Sequence, residues 1–212
     1  MSRRHIGREN LRKRLAPSEG APGRTTYAGG AVRIQPEEGE SLEIRPSFGL
    51  DHEAEYDRVR VSPLFEEIAR NHVVAALLVR LGGYAVGVFE GERLIASKVG
   101  SRFVKNRHKK GGSSANRFRR RREEQARELV DDAAEVAARV LEPHRDRIEF
   151  VALGGDRAAI DAVLAARPDL VWLRERALPR FFTVAEPRQR VLVAFPYDLY
   201  AVEVVTLSAD EP

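Results

Sequence analysis

The sequence predicts an α+β fold, α/β-like in its second half: a mixed sheet of about five or six strands with helices packed on it. Three observations carry that reading. Three strand-like runs follow one another from Val73 to Gly100, parted only by glycine-containing turns. An apolar pattern with three- and four-residue spacing then extends from Phe118 to Leu141. After Pro143 the chain alternates strand, helix and strand.

Residues 1–30 hold Gly, Pro, Ser and Arg without sustained periodicity. They read as a flexible basic arm with one short helix at Glu9–Leu15. Residues 31–212 read as a single domain that opens with a hairpin. In "AVRIQPEEGESLEIRP" apolar and polar residues alternate on both sides of Pro36–Gly39. "SPLFEEIARN" reads as a short helix, with Ser62 as its cap and Pro63 at a first helical position. The meander comprises Val73–Arg80, Tyr84–Glu90 and Arg93–Gly100, turned at Gly82–Gly83 and Gly91–Glu92.

A long helix starts at about Ser114, and Pro143 ends it. Phe118, Ala126, Leu129, Ala133, Ala137, Val140 and Leu141 form its apolar stripe, which Arg122 alone interrupts. Roughly 28 residues at about 1.5 Å each give a rod near 40 Å long. Its Ala-rich end should pack on the sheet while its basic end reaches beyond the core. Ile148–Leu153 reads as a buried strand, Gly154–Gly155 as a turn, and Asp156 as the cap of a helix over Arg157–Ala166. Pro168 breaks the chain before a short strand at Val171–Leu173. "EPRQRVLVAF" fits either a helix or a strand after a turn, and "YAVEVVTL" is a strand pattern.

The net charge of +4 hides an asymmetry. Ten of the 21 residues from Arg102 to Arg122 are Lys or Arg and none is acidic, so the remainder holds 26 basic against 32 acidic residues. Residues 1–24 hold seven more basic residues against Glu9 and Glu19. A solvated face usually mixes signs; charge gathered this way is the footprint of a polyanion-binding element on an acidic body. The absence of cysteine excludes disulfides, thiolate zinc sites and a cysteine nucleophile. No apolar run approaches 18 residues, so no membrane span is expected. The basic N-terminus lacks the apolar core of a secretion signal, and a cytoplasmic protein is the default expectation.

Arg102, Lys105, Arg107, His108, Lys109 and Lys110 precede Gly111 and Gly112; Arg117, Arg119, Arg120, Arg121 and Arg122 follow. Glycine lets a backbone approach a ligand closely. The helix start behind it offers free N–H groups to an anion. The nucleotide pattern G-x-x-x-x-G-K-[ST] is absent, and capping by Ser113 or Ser114 is the plain alternative. The helix arginines spread over more than one face, which suits irregular RNA better than a duplex major groove. Arg119–Glu123 and Arg120–Glu124 are spaced as i,i+4 pairs and mark where the ordinary helix surface resumes.

The five histidines show no metal-ligand spacing, so no metal and no cofactor is expected. Asp131, Asp132 and Glu135 read as a solvated helix face. "LGGDRAAIDAVL" reads as a strand–turn–helix junction with ordinary capping. Phe118 belongs to the apolar stripe and reads as core.

"GGSSANRFRRRR" resembles the central, peptidyl-tRNA-cleaving domain of archaeal and eukaryotic release factors, which carry Gly-Gly-Gln, then Ser-Ala and an Arg-Phe pair at the start of a long helix. Gly111, Gly112, Ser114, Ala115, Arg117 and Phe118 match that pattern. The wider chain, from about Val73 to Leu207, looks most like the actinobacterial single-domain relatives of the Vms-type peptidyl-tRNA hydrolases; "LGGDRAAIDAVL" and "LPRFFTVAEPRQRVL" fit that group. The resemblance implies a ribonuclease H-like domain with a mobile Gly-Gly loop before its long helix. It implies a monomeric peptidyl-tRNA hydrolase that meets the large ribosomal subunit at the peptidyl-transferase centre. Ribosomal RNA and peptidyl-tRNA would be its partners. Gly111, Gly112, Ser113, Ser114 and Asn116 would then be the catalytic candidates, and the flanking cations the RNA contacts. The release factors place Gln directly after the glycines, where this sequence has Ser113, and the Vms-type relatives place it further along, at the position held here by Ala115.

Overall fold

Alternating apolar residues fold the N-terminal part and the last strand into one sheet; continuous apolar runs build a second. The computed structural model describes residues 2–80, 82–101 and 113–207, with side chains from residue 120 onward in the last stretch. In chain order the first elements are β1 (Ser2–Gly7), α1 (Arg8–Leu15), β2 (Pro22–Ala28), β3 (Ala31–Pro36), β4 (Ser41–Arg45), β5 (Ala54–Arg58) and α2 (Ser62–Ala69). Then come β6 (Val73–Arg80), β7 (Gly83–Glu90), β8 (Arg93–Ser101), α3 (Ser113–Leu141), β9 (Phe150–Gly155) and α4 (Arg157–Ala166). The chain finishes with α5 (Trp172–Glu175), α6 (Gln189–Leu199) and β10 (Ala201–Leu207). The class is α+β, and the chain divides into two compact units, residues 1–71 with 196–212 and residues 72–195.

The first unit is an antiparallel six-stranded sheet in the order β1-β10-β4-β3-β2-β5. β3 and β4 form the hairpin that their alternation predicts, burying Val32, Ile34, Leu42 and Ile44 on one face. Leu11 and Leu15 of α1 and Leu64 of α2 close that core. Here the structure departs from the expected arm: residues 2–28 are a strand, a helix and a strand within this unit. β1 has no apolar face of its own, since Ser2–His5 are exposed, and its place in the sheet comes from pairing with distant β10. The division into two units likewise differs from the single domain expected over 31–212.

The start of α2 corrects a cap assignment. Ser62 lies inside the helix and makes no side-chain cap. Glu19 does that work: its Oε2 accepts from Val61 N at 2.6 Å and Ser62 N at 3.1 Å, and Ser62 Oγ donates to its Oε1 at 3.2 Å. Tyr27 is buried beside this corner, donating to Arg60 O at 2.6 Å; burial pushes its hydroxyl pKa up.

The second unit holds a four-stranded mixed sheet in the order β8-β7-β6-β9. β6, β7 and β8 are the expected antiparallel meander, and β9 joins β6 in parallel. Parallel pairing needs a crossover, which α3 supplies. "VVAALLV" is apolar without interruption because both faces of β6 are covered. Ala75, Leu77 and Val79 pack in one cluster with Leu129, Ala133 and Ala137 of α3 and Ile160 and Val163 of α4. The adjoining core includes Phe182 and Phe195, with ring centroids 5.0 Å apart. Asp156 caps α4 as its position predicts, accepting from Ala158 N at 2.9 Å and Ala159 N at 3.3 Å. Gly155 has φ of +100°, and a Cβ there would lie 2.1 Å from Val79 O, so only glycine fits this turn.

The strand expected at Val171–Leu173 is instead a 3₁₀ turn (Pro168–Leu170) followed by α5. Pro168 starts a helical turn at its fixed φ, and Leu170 and Leu173 are buried three residues apart while Val171 stays exposed. "EPRQRVLVAF", left open between helix and strand, runs into the helix α6.

Candidate nucleic-acid interface

β8 delivers the chain to Ser101 and α3 takes it up at Ser113. Arg102, Lys105, Arg107, His108, Lys109, Lys110, Gly111 and Gly112 lie outside the described residues. Ser113, Ser114, Asn116, Arg117 and Arg119 belong to the first two turns of α3. Their helical backbone is all that bears on their expected roles. Arg120 and Arg121 are exposed and Arg122 is half-buried.

None of these three arginines has a carboxylate partner among the described residues. The spacing of Arg120 and Glu124 therefore does not become an ion pair. Three consecutive residues on a helix step by about 100° each, so their guanidinium groups fan over more than half its circumference. From residue 120 to residue 128 no side chain is buried; Leu129 is the first, 3% exposed. Ser113 precedes Leu129 by about 24 Å of helix at 1.5 Å per residue.

Burial anchors the other end of α3. Ala133, Ala134, Val136, Ala137 and Leu141 face the sheet and α4, and Tyr84 of β7 donates its hydroxyl to Asp132 Oδ2 at 2.9 Å. The helix therefore splits by composition: an Ala-rich stretch held by packing and an Arg-rich stretch whose described side chains are solvated. A solvated, unpaired cluster of guanidinium groups can meet phosphates without first breaking an internal ion pair.

Sequence reasoning missed a cleft of about 420 Å³ at the base of this solvated stretch. Ala126, Leu129 and Val130 of α3 face Ala158, Ala159 and Ala162 of α4 across it, with Arg80 and Asp156 among its lining residues. It lies where the parallel strands β6 and β9 end, and no local pattern reveals that these two strands are neighbours. Two of its polar groups are engaged: Arg80 Nη1 donates to Val184 O at 2.9 Å, and Asp156 is spent on the cap; Arg127 and Asp131 of α3 also line it. Among the described residues no group of three or more His, Asp or Glu side chains could hold a metal ion. Among them, too, no helix is long and apolar enough to cross a membrane.

Residues 72–205 match the Actinobacteria/chloroflexi VLRF1 release factor family, and the chain belongs to that family. That family is described as one of release factors. Peptide chain release factor subunit 1 of Archaeoglobus fulgidus is 26% identical over 95 residues, 45% of this chain. The matched part is 23% of that relative, so the chain spans less than a quarter of its length. Among solved structures, the Vms1 mitochondrial localization core aligns at TM-score 0.47 and 13% identity, over 92% of this chain and 80% of that one. The archaeal translation termination factor aRF1 aligns at TM-score 0.44 and 13% identity, over 92% of this chain and 73% of that one.

Proposed function

We propose that this protein is a ribosome-associated peptidyl-tRNA hydrolase that frees the nascent peptide from stalled large subunits. One observation carries the reading: the release-factor match spans a Gly-Gly segment set among cations and followed by a helix in which Arg120, Arg121 and Arg122 have no carboxylate partner among the described residues. In this reading the protein is a cytoplasmic monomer without a cofactor. Its cations offset the field of ribosomal RNA while Gly111 and Gly112 let the backbone enter a narrow, RNA-walled site.

The reaction is ester hydrolysis. Water oxygen attacks the carbonyl carbon that joins peptide to tRNA, and the bond to the terminal ribose oxygen breaks. The peptide leaves with a carboxylate and the tRNA with a hydroxyl. Loop N–H groups or the side chains of Ser113, Ser114 and Asn116 would orient that water, and the RNA would share the work by positioning and electrostatics.

A second reading has one specific observation in its favour. The glutamine used by the resembling release factors is absent, and Gln125 is the nearest. The chain would then bind ribosomes or tRNA without cleaving the ester. Peptide release from isolated large subunits bearing peptidyl-tRNA separates the two. The hydrolase reading expects release by the wild type and a drop of at least about tenfold for Gly112→Ala, or about 1.4 kcal/mol of barrier. Tight subunit binding without release, together with release gained by Ser113→Gln or Ala115→Gln, would establish the binding factor instead.

A further inference from the structure

The sheet of the first unit separates its charges by edge. Residues 2–14 hold six Lys or Arg against Glu9 alone, while residues 37–57 hold eight Asp or Glu against Arg45 alone. Strand order puts β1 at one edge and β5 at the other. Arg3 of β1 reaches Glu203, Arg33 and Arg45 share Glu43, Arg60 reaches Glu19, and Arg70 reaches Glu67, while Arg24 and Arg58 stand singly without a carboxylate partner among the described residues. Arg4, Arg12, Lys13 and Arg14 are exposed and have no carboxylate partner among the described residues.

Register puts Arg4 on the face of the sheet that α1 covers. Arg4 stands opposite Val204 and Ile6 opposite Val202, and both valines belong to the buried cluster that also holds Leu11 and Leu15 of α1. Directly opposed residues of an antiparallel pair share a face, so Arg4 lies on the helix-bearing side of the edge strand. Burial of Leu11 and Leu15 turns Lys13 and Arg14 outward, and leaves Arg12 exposed with its guanidinium 5.8 Å from the Phe65 ring centroid. Three consecutive helical residues fan their charges across the outer half of α1.

We propose that β1 and α1 form a contact for the phosphate backbone of RNA, additional to the one on residues 102–122. The choice of RNA as the polyanion rests on the function proposed above; the surface itself rests on charge and register. It binds backbone and not bases, because its cations fan over a convex helix face. A cleft of the same unit, beside Tyr200 and Phe48, holds only about 10 Å³.

The test is fluorescence anisotropy of the full-length protein with a labelled RNA hairpin across a salt series. Arg4→Ala/Lys13→Ala/Arg14→Ala is compared with Arg120→Ala/Arg121→Ala/Arg122→Ala and with both sets combined. The first triple variant should lower affinity about tenfold or more and flatten the log–log salt slope by about 2 to 3, at roughly 0.7 to 0.9 per lost phosphate contact. The combined variant should lose more than either alone, and Arg4→Lys with Arg14→Lys should restore the slope. Lys13→Glu/Arg14→Glu, at two exposed positions, serves if the triple variant does not fold. An unchanged slope and affinity overturn the inference, and so does binding to phosphatidylserine vesicles in place of RNA. If only the α3 variant loses RNA while the wild type still releases peptide, this inference falls and the proposed function stands. If the wild type binds no RNA at all, both fall.

Discussion

The carboxylate of Glu19 reaches 42 residues along the sequence to close the start of α2. Two backbone N–H groups and one hydroxyl converge on it, and Arg60 adds an ion pair at 3.2 Å. A charged acceptor at a helix start satisfies orphan donors and meets the positive end of the dipole. Glu19→Ala should therefore cost about 1 kcal/mol and at most about 2. For a chain of this size that lowers the melting temperature by roughly 2–4 °C per kcal/mol. Glu19→Gln should lose less, because its amide oxygen still accepts. Thermal unfolding followed by circular dichroism checks this, and an unchanged midpoint for Glu19→Ala would remove the cap. Nothing local announces the role: Ser62 with Pro63 is a complete cap signature by itself, and the residue that supplanted it lies in another part of the chain.

Among elements, α3 shows most plainly what patterning reveals. Its apolar spacing from Phe118 to Leu141 announced the helix because one burying face leaves a 3.6-residue imprint, and the start expected at about Ser114 falls at Ser113. Among the described side chains of α3, burial begins at Leu129, and Ala133 and Ala137 are fully buried against the sheet. Ala137→Leu should overpack this contact and cost about 1–3 kcal/mol. Arg120→Ala/Arg121→Ala/Arg122→Ala should change stability by no more than about 0.5 kcal/mol while weakening subunit binding. Urea denaturation beside a binding measurement tests the division; equal destabilisation by both variants would refute it. The meander was legible for a similar reason, since each strand meets its neighbour after a turn of two residues. β1 and β2 were not, because "SRRHIG" has no apolar face and "PGRTTYA" is interrupted by Gly23. α5 was misread because Val171–Leu173 is apolar at every residue, and so short a run fits either period. At the candidate interface, charge and residue type were legible, while the cleft between α3 and α4 depended on a parallel strand pairing that only the fold creates.

At the scale of the molecule, each unit holds a carboxylate whose ionised form the fold favours. Burial alone would raise Glu43, but hydrogen bonds and charge from Arg45 and Arg33 hold it below the ordinary value of 4.5. Burial would likewise raise Glu149, yet hydrogen bonds from His72 and from Val73 N hold it down as well. A carboxyl lowered by folding contributes stability above its unfolded value and loses it as pH falls through the folded one. Stability in urea should thus be level near neutrality and decline as pH drops below about 4.5. Glu43→Gln and Glu149→Gln should each flatten that decline, and a decline as steep as that of the wild type would exclude these two groups as its source. The strand order has a further consequence, one of timing. β10 lies between β1 and β4, so a strand translated after residues 72–195 separates two that were translated before them. Residues 72–195 form a continuous unit that can fold as the chain emerges. β2 to β5 can pair with one another before then, but β1 has no strand partner until residues 201–207 arrive, so the cationic edge of the first unit is completed after the rest of its sheet.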